Sequence, residues 1–222
     1  MAGEKSILIL GASRGIGLGL AEEFARRDWQ VIATERSRSE ALHALDGVDV
    51  MTADVTDPGS YAALDLAEDS LDAVLINAGI SGARHQSADK ATADEVAEVM
   101  LTNAFGPARA ARALLPKLKR GGTLAFMSSL MGSVADSSGG WELYRSSKAA
   151  QNMLAKGIAE QDARARDIAV LSLHPGWVQT DMGGPQAPLS VAQSAKGLAN
   201  VIESAGGAGY RFLDYTGKAL PF

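Results

Sequence analysis

The fold is decided close to the N-terminus by the stretch SILILGASRGIG, Ser6–Gly17. Its first five residues, Ser6–Leu10, are almost wholly apolar, as in a strand that is buried on both faces of a parallel sheet. After the glycine-rich turn, Ile16, Leu20 and Phe24 recur at a spacing that places them on one face of a helix. Glycine lets the backbone approach a phosphate closely, and a helix N-terminus offers free N–H donors. The stretch therefore predicts a phosphate-binding turn, although many strand-to-helix turns carry glycine for geometry alone.

The alternation of strand-like and helix-like segments continues along the whole chain, with no internal repeat and no linker. Further strands are predicted at Gln30–Thr34, Val48–Thr52, Leu71–Ile76, Gly122–Met127, Ile168–Leu173 and Tyr210–Leu213. Helices are predicted at Ile16–Arg27, Pro58–Ala67, Ala91–Leu118, Trp141–Gln161 and Ser190–Glu203. The 222 residues suit one domain spanning 1–222. We therefore expect an α/β fold with one doubly wound parallel sheet and helices on both faces.

Three local signals refine these helices. Asp57 is suited to cap a helix whose first position is Pro58. Thr92 and Glu95 have the spacing of a capping box. Pro107 falls inside the long fourth helical region and predicts a kink there.

Composition excludes several classes of function. The net charge is −5, so there is no general attraction to a nucleic-acid backbone. The chain has no cysteine, which excludes disulfides and thiolate chemistry, and its three scattered histidines do not suggest a metal site. The apolar run Ile7–Leu10 is too short to span a bilayer, and no secretory signal is recognisable. We expect a cytoplasmic protein with no nucleic-acid partner, no membrane partner and no metal.

The glycine spacing, Gly-x-x-x-Gly-x-Gly at Gly11, Gly15 and Gly17, differs from the usual GxGxxG dinucleotide fingerprint. It resembles the short-chain dehydrogenase/reductase family, and further matches follow in that family's order over essentially the whole chain. These matches are Asn77-Ala78-Gly79, Asn103, Ser128-Ser129, Tyr144 with Lys148, and Pro175-Gly176-Trp177-Val178-Gln179-Thr180. The resemblance implies a Rossmann-type fold and an enzyme that transfers a hydride between a nicotinamide and a small-molecule carbonyl or alcohol.

Tyr144 and Lys148 have a chemical logic of their own. Residues four apart lie on one helical face. A phenol ionises near pH ~10, and a neighbouring ammonium favours the phenolate, so Tyr144 could exchange a proton with a substrate oxygen. Seen alone, the pair is better explained as an exposed Tyr and Lys on a helix surface, and the catalytic interpretation depends on the glycine turn and the serines that accompany it.

The resemblance assigns roles to three further groups. It implies that Ser129 holds the substrate oxygen, that Lys148 bonds the nicotinamide ribose and that Asn103 positions a proton-relay water. Ser128 and Ser133 compete with Ser129 for the first role. Asn103 could instead satisfy backbone groups at the expected kink.

The resemblance also implies a set of cofactor contacts. They are Gly11, Ser13, Arg14, Gly15, Ile16, Gly17, Glu35, Arg36, Asp54, Val55, Asn77, Ala78, Gly79, Tyr144, Lys148, Pro175, Gly176, Val178 and Thr180. Asp54 and Val55 correspond to the adenine position, although Asp54 could simply cap a loop. Thr180 corresponds to the contact with the nicotinamide carboxamide.

The choice between NADP and NAD depends on Glu35, Arg36 and Arg14. A carboxylate at the end of the second strand binds the free ribose hydroxyls of NAD, whereas a guanidinium attracts the 2′-phosphate of NADP. Two arginines outweigh one carboxylate that can turn away, so we expect NADP, with NAD as the alternative.

Three further segments are Gly140-Trp141, Thr180-Asp181-Met182-Gly183-Gly184 and the final stretch 209–215. Together they resemble the C-factor-like and sniffer-like carbonyl reductases. They predict an NADPH-dependent carbonyl reductase with a short mobile lid near 182–190 over the substrate. A dinucleotide-binding signalling or regulatory protein with little turnover is the alternative. In the family the helices corresponding to Ala91–Leu118 and Trp141–Gln161 pair across a two-fold axis, so we expect a homodimer or homotetramer.

Overall fold

The structure, a computed structural model, describes residues 5–222. Within them, one sheet of seven strands forms the centre of the molecule, and all its pairings are parallel. The strands are β1 Ser6–Leu10, β2 Gln30–Glu35, β3 Val48–Thr52, β4 Leu71–Ile76, β5 Leu118–Met127, β6 Ala169–His174 and β7 Gly209–Asp214. Their order across the sheet is β3-β2-β1-β4-β5-β6-β7, so the winding reverses between β1 and β4. Ligands of doubly wound sheets bind at that reversal, outside the carboxyl ends of the strands.

Helices connect the strands. They are α1 Gly15–Ala25, α2 Glu40–His43, α3 Pro58–Ala62, α4 Ala93–Met100, α5 Gly106–Leu114, α6 Glu142–Ile158 and α7 Val191–Ser204. A π-helical turn, Leu101–Phe105, joins α4 to α5, and a second one, Ala159–Ala163, continues α6. None of the helices within residues 5–222 is both long and apolar enough to cross a membrane.

The sheet is buried on both faces, as the apolar runs predict. Alternate residues of the central strands, such as Leu8 and Val74, pack towards α3, α5 and α6. The intervening residues, such as Ile7 and Leu75, pack towards α1 and α7, where Phe24 is fully buried. The predicted fold class, an α/β doubly wound parallel sheet with helices on both faces, is confirmed.

The predicted helix caps are also confirmed. Asp57 accepts a hydrogen bond from the Gly59 N–H in the first turn of α3. Thr92 and Glu95 form both bonds of the capping box that begins α4. These side chains satisfy backbone donors that have no partner inside their own helix.

Several predicted boundaries are wrong, and tertiary contacts explain them. The long fourth helix ends before Leu118, which already pairs with Leu71 and so begins β5 four residues earlier than predicted. The third helix ends at Ala62 because the chain then leaves the helix to bury Leu64 and Leu66. The short helix α2 was not predicted, since four residues show no periodicity.

The expected disturbance of the helix near Pro107 takes the form of the π-helical turn directly before it. There the Gly106 N–H donates to the Leu101 carbonyl, five residues back. Such turns are rare and occur frequently at functional sites. This one contains Asn103.

Candidate active site

A cleft of about 520 Å³ opens at the reversal point of the sheet, where the loops after β1 to β6 meet. Its lining includes fifteen of the residues predicted from the sequence. These are Gly11, Ser13, Arg14, Gly15, Ile16, Arg36, Asp54, Val55, Asn77, Ala78, Gly79, Tyr144, Lys148, Pro175 and Thr180. A second groove, of about 570 Å³, lies between α7 and β7, and none of the predicted site residues lines it. Within residues 5–222, no three His, Asp or Glu side chains come close enough to hold a metal ion.

The glycine turn at the start of α1 is held from both sides. The Gly11 N–H donates to Thr34 Oγ1 at 3.0 Å, and its carbonyl accepts from Asn77 Nδ2 at 2.7 Å. Gly11 has a φ of 93°, and a Cβ on Gly17 would collide with the Gly11 carbonyl oxygen. Glycine is therefore required at both positions, and Asn77 supports the turn as well as lining the cleft.

Lys148 reaches the cleft from a fully packed position in α6. Its ammonium donates to the Met127 carbonyl at 2.8 Å and to Gln151 Oε1 at 3.2 Å. Burial disfavours the charged form and lowers the pKa of Lys148 from 10.5 to about 7.

Tyr144 does not have the lowered pKa that the sequence argument predicted. Burial raises the pKa of the phenol to about 12, and a hydrogen bond from the Ser129 side chain opposes that rise only in part. The Lys148 ammonium lies 5.7 Å from the centre of the Tyr144 ring, over its face, and is itself only partly charged at neutral pH. In this state burial therefore determines the pKa of Tyr144, and the phenol carries its proton.

The three candidate serines have different partners. Ser128 donates to Asn152 Oδ1 at 2.7 Å, while the Ser133 hydroxyl accepts from the Asp136 N–H at 3.0 Å. Ser129 accepts from the Met131 N–H at 3.1 Å, which leaves its own O–H free to act on Tyr144. Ser129 is therefore the one of the three whose hydroxyl contacts Tyr144, whereas Ser128 is the one that lines the cleft.

The Asn103 side chain is fully engaged beside the cleft rather than exposed in it. Its Oδ1 accepts from the Ile80 N–H at 2.8 Å, and its Nδ2 donates to the Ile80 carbonyl at 2.7 Å and to Ser147 Oγ at 2.9 Å. Asn103 thereby fixes the loop after β4 against α6.

Glu35 does not face the cleft, so its predicted contact with the ribose is corrected. Its carboxylate accepts from the Ser39 N–H at 2.6 Å and bonds His43 Nε2 at 2.9 Å, at the two ends of α2. These bonds, that from His43 above all, lower the pKa of Glu35 although its side chain is buried.

The two arginines stay at the mouth of the cleft. Arg36 is 74% exposed and lies 3.9 Å from an Asp54 carboxylate oxygen. Arg14 is similarly exposed and forms an ion pair with Asp181 at 2.8 Å. Asp54 also accepts two hydrogen bonds from Thr56, so it stabilises its own loop, as the alternative interpretation proposed, while lining the cleft.

Two residues after β6 that were predicted to contact the cofactor, Gly176 and Val178, pack within their own loop. Val178 is buried and bridges to Leu189, and a Cβ on Gly176 would collide with the Leu189 side chain. The segment 182–190 is tied back by bonds from Gln179 to Ala187 and to the Leu189 carbonyl. Its role as a lid stays a prediction.

The sequence argument did not include several cleft residues. They are Leu10, Ala53, Thr102, Met127, Asp181 and Val191. Leu10 and Met127 end strands β1 and β5, so the rule that ligands bind at carboxyl ends could have identified them. Thr102 has no such signal, because it reaches the cleft only through the π-helical turn.

Comparisons with known proteins agree with this geometry. The model of the short chain dehydrogenase family matches residues 5–188. The protein named C-signal from Myxococcus xanthus is 40% identical over 156 residues, 68% of this chain and 93% of that protein. The structure of a carbonyl reductase from Pseudomonas aeruginosa PAO1 in complex with NADP is 41% identical and superposes with a TM-score of 0.91, covering 99% of this chain and 100% of the other. The carbonyl reductase Sniffer of D. melanogaster is 29% identical, with a TM-score of 0.89 and the same coverage. With the glycine turn, Ser129, Tyr144 and Lys148 in place, the chain belongs to the short-chain dehydrogenase/reductase family of oxidoreductases.

Proposed function

We propose that the protein is an NADPH-dependent carbonyl reductase. The observation that carries the proposal is that Tyr144, Lys148 and the glycine turn line one cleft. A phenol with a pKa of about 12 keeps its proton at neutral pH and can give it to the oxygen of a carbonyl as that oxygen becomes an alkoxide. The reverse reaction would need the phenolate. Burial therefore equips Tyr144 to donate a proton in the direction of reduction.

The residues of the cleft fit a phosphorylated dinucleotide. The backbone of the glycine turn can bind a pyrophosphate. A side chain on Gly11 or Gly17 would fill the space within this turn. Arg36 and Arg14 supply positive charge at the mouth, while Glu35, the group that would repel a 2′-phosphate, is turned into α2. When bound, NADPH supplies the hydride.

The chain's own residues manage the substrate oxygen and its proton. Tyr144 donates the proton, and the Ser129 hydroxyl turns from Tyr144 to donate a second hydrogen bond to the same oxygen. Lys148 holds the ribose. Pro107 has no N–H to give to the Asn103 carbonyl four residues earlier, so we assign the relay water to that carbonyl.

The test is the oxidation of NADPH, followed by its absorbance, with a panel of aldehydes, ketones and quinones. Tyr144→Phe keeps the ring but removes the transferable proton. We expect it to lower kcat at least ~100-fold while NADPH still binds. Near-normal turnover by Tyr144→Phe would show that another group supplies the proton.

A signalling role is the second candidate, and the relative named C-signal favours it. On that account the protein would bind NADPH without useful turnover. The same panel separates the two functions: saturable binding of NADPH with no oxidation by any carbonyl compound would favour signalling.

A further inference from the structure

The ammonium of Lys148 is held by two uncharged acceptors. One is the Met127 carbonyl at the end of β5, at 2.8 Å, and the other is Gln151 Oε1, one turn further along α6, at 3.2 Å. An ammonium has three N–H donors. The third has no protein acceptor among residues 5–222, and Lys148 lines the cleft, so this donor is available to a bound ligand.

Gln151 occupies its position at a cost to stability. An ammonium can only donate, so the carboxamide turns its oxygen towards the charged form of Lys148, and its NH₂ group then points elsewhere. That Nε2 is buried and has no hydrogen-bond partner, and the residue as a whole is only 1% exposed. A leucine of similar size would fill the site without leaving a buried donor unpaired. Packing alone therefore does not explain a glutamine here.

We propose that Gln151 is a positioning residue for Lys148, whose side-chain carbonyl holds the ammonium between α6 and the end of β5 with one N–H free for the cofactor ribose. The consequence of this role for catalysis rests on the proposed function, whereas the contact between Gln151 and Lys148 does not.

The groups that contact the ammonium are neutral, so a single acceptor has a large influence on its proton affinity. Among residues 5–222 its titratable neighbour is Tyr144 on the same helix, uncharged at neutral pH. The loop after β4 contributes Gly79, the π-helical turn contributes the neutral amide of Asn103, and burial is the sole cause that lowers the pKa of Lys148. Removing the Gln151 oxygen should lower that pKa further, and a carboxylate in its place should raise it.

The experiment compares Gln151→Leu and Gln151→Glu with the parent protein. The acetylation rate of Lys148 by acetic anhydride, followed by peptide mass between pH 5 and 10, reports the fraction of neutral amine without any cofactor. We expect the midpoint, the pH at which half of the Lys148 side chains are neutral, to fall by about one unit in Gln151→Leu. In Gln151→Glu it should rise by about one unit or more. The Tm of Gln151→Leu should be unchanged or higher, while its kcat/KM for NADPH at pH 8 falls about tenfold.

A matched control is Ser172→Ala, which removes another buried hydrogen bond, the one that Tyr210 donates to Ser172 at 2.9 Å. It should lower Tm without moving the Lys148 midpoint. Unchanged midpoints in both Gln151 variants would overturn the proposal, as would a loss of activity that merely follows a loss of Tm. If the midpoints move as expected but the parent protein never oxidises NADPH, the proposed function fails and the assignment of Gln151 stands.

Discussion

Glu35 and Arg36 are neighbours in sequence, yet they act in different parts of the structure. Glu35 ends β2 with its side chain buried against Ser39 and His43, whereas Arg36 is exposed and lines the cleft. The sequence shows that both charges are present but not which one meets the ribose. Whether the carboxylate turns away depends on α2, a helix too short to leave a periodic pattern.

This arrangement predicts that the two arginines determine the selectivity for NADPH. Arg36→Ala and Arg14→Ala should each lower the ratio of kcat/KM for NADPH to that for NADH by about tenfold, because each removes a charge-assisted contact to the 2′-phosphate. Arg38→Ala is the control, since Arg38 is exposed in the same loop but does not line the cleft. A parent enzyme that prefers NADH would contradict this account.

Some features of the site could be predicted from the sequence, and others could not. Tyr144 and Lys148 could be identified because their i and i+4 spacing occurs together with the glycine turn and the serines in the family's order. Their pKa values could not, because both shifts come mainly from burial. Gln151 carries no signal of its own, since a glutamine is informative only once its amide is seen buried against an ammonium.

Among the elements, strands were predicted best, because an apolar run of five or six residues is a strong local signal. β1, β3 and β4 have the predicted boundaries. The start of β5 and the π-helical turn were missed, since both depend on partners distant in sequence. The first needs pairing with Leu71, and the second needs the backbone of Gly106 to pass close to the Val55 carbonyl.

The N-terminus of α6, which carries Tyr144, is capped by a residue from another loop. Trp141 stands at the N-cap in a left-handed conformation and makes no side-chain cap. Instead Gln86, buried and itself at a φ of 57°, accepts from the Tyr144 N–H at 3.1 Å and donates to the Ser81 and Ala83 carbonyls at 2.7 Å each. Gln86 therefore joins the loop after β4 to the first turn of the catalytic helix.

We predict that Gln86→Leu loosens this first turn. Losing the acceptor for Tyr144 and two loop bonds should lower the free energy of unfolding by ~1–3 kcal/mol and Tm by several degrees. Because the turn carries Tyr144, kcat should fall as well, even far below Tm. Asp57→Ala, which removes a cap from α3, is the control. We expect its Tm, measured by circular dichroism, to fall while its kcat is unchanged. A normal kcat in Gln86→Leu would confine Gln86 to a structural role.

At the scale of the whole molecule, the doubly wound sheet could be predicted from the sequence because both of its faces are apolar and must be buried by helices. The apolar residues of β1 divide alternately between the two hydrophobic clusters, and helices cover each face. The outer surface is less determined. Packing within one chain accounts for most apolar side chains of the helices, but not for those on one side of α4 and α6.

That remaining apolar surface is formed by Val96, Leu101, Phe105 and Met153. α4, the π-helical turn and α6 pack against one another, and these four side chains stay exposed, Phe105 by 44% and Met153 by 73%. Exposed apolar groups on neighbouring elements often mark an interface between proteins. A two-fold axis through this surface would bring the same residues of two copies together, which is the commonest symmetry of soluble oligomers.

We therefore predict at least a homodimer formed through this surface. Light scattering at micromolar concentration should give a mass of about twice 23.1 kDa or a higher multiple. Met153→Lys should shift the mass towards that of one chain, because it would bury two unpaired charges near the axis. Val134→Lys changes a side chain of similar exposure in the loop after β5 and should leave the assembly intact. A parent protein that shows only a 23.1 kDa species would mean that the apolar side chains of α4 and α6 face water in solution.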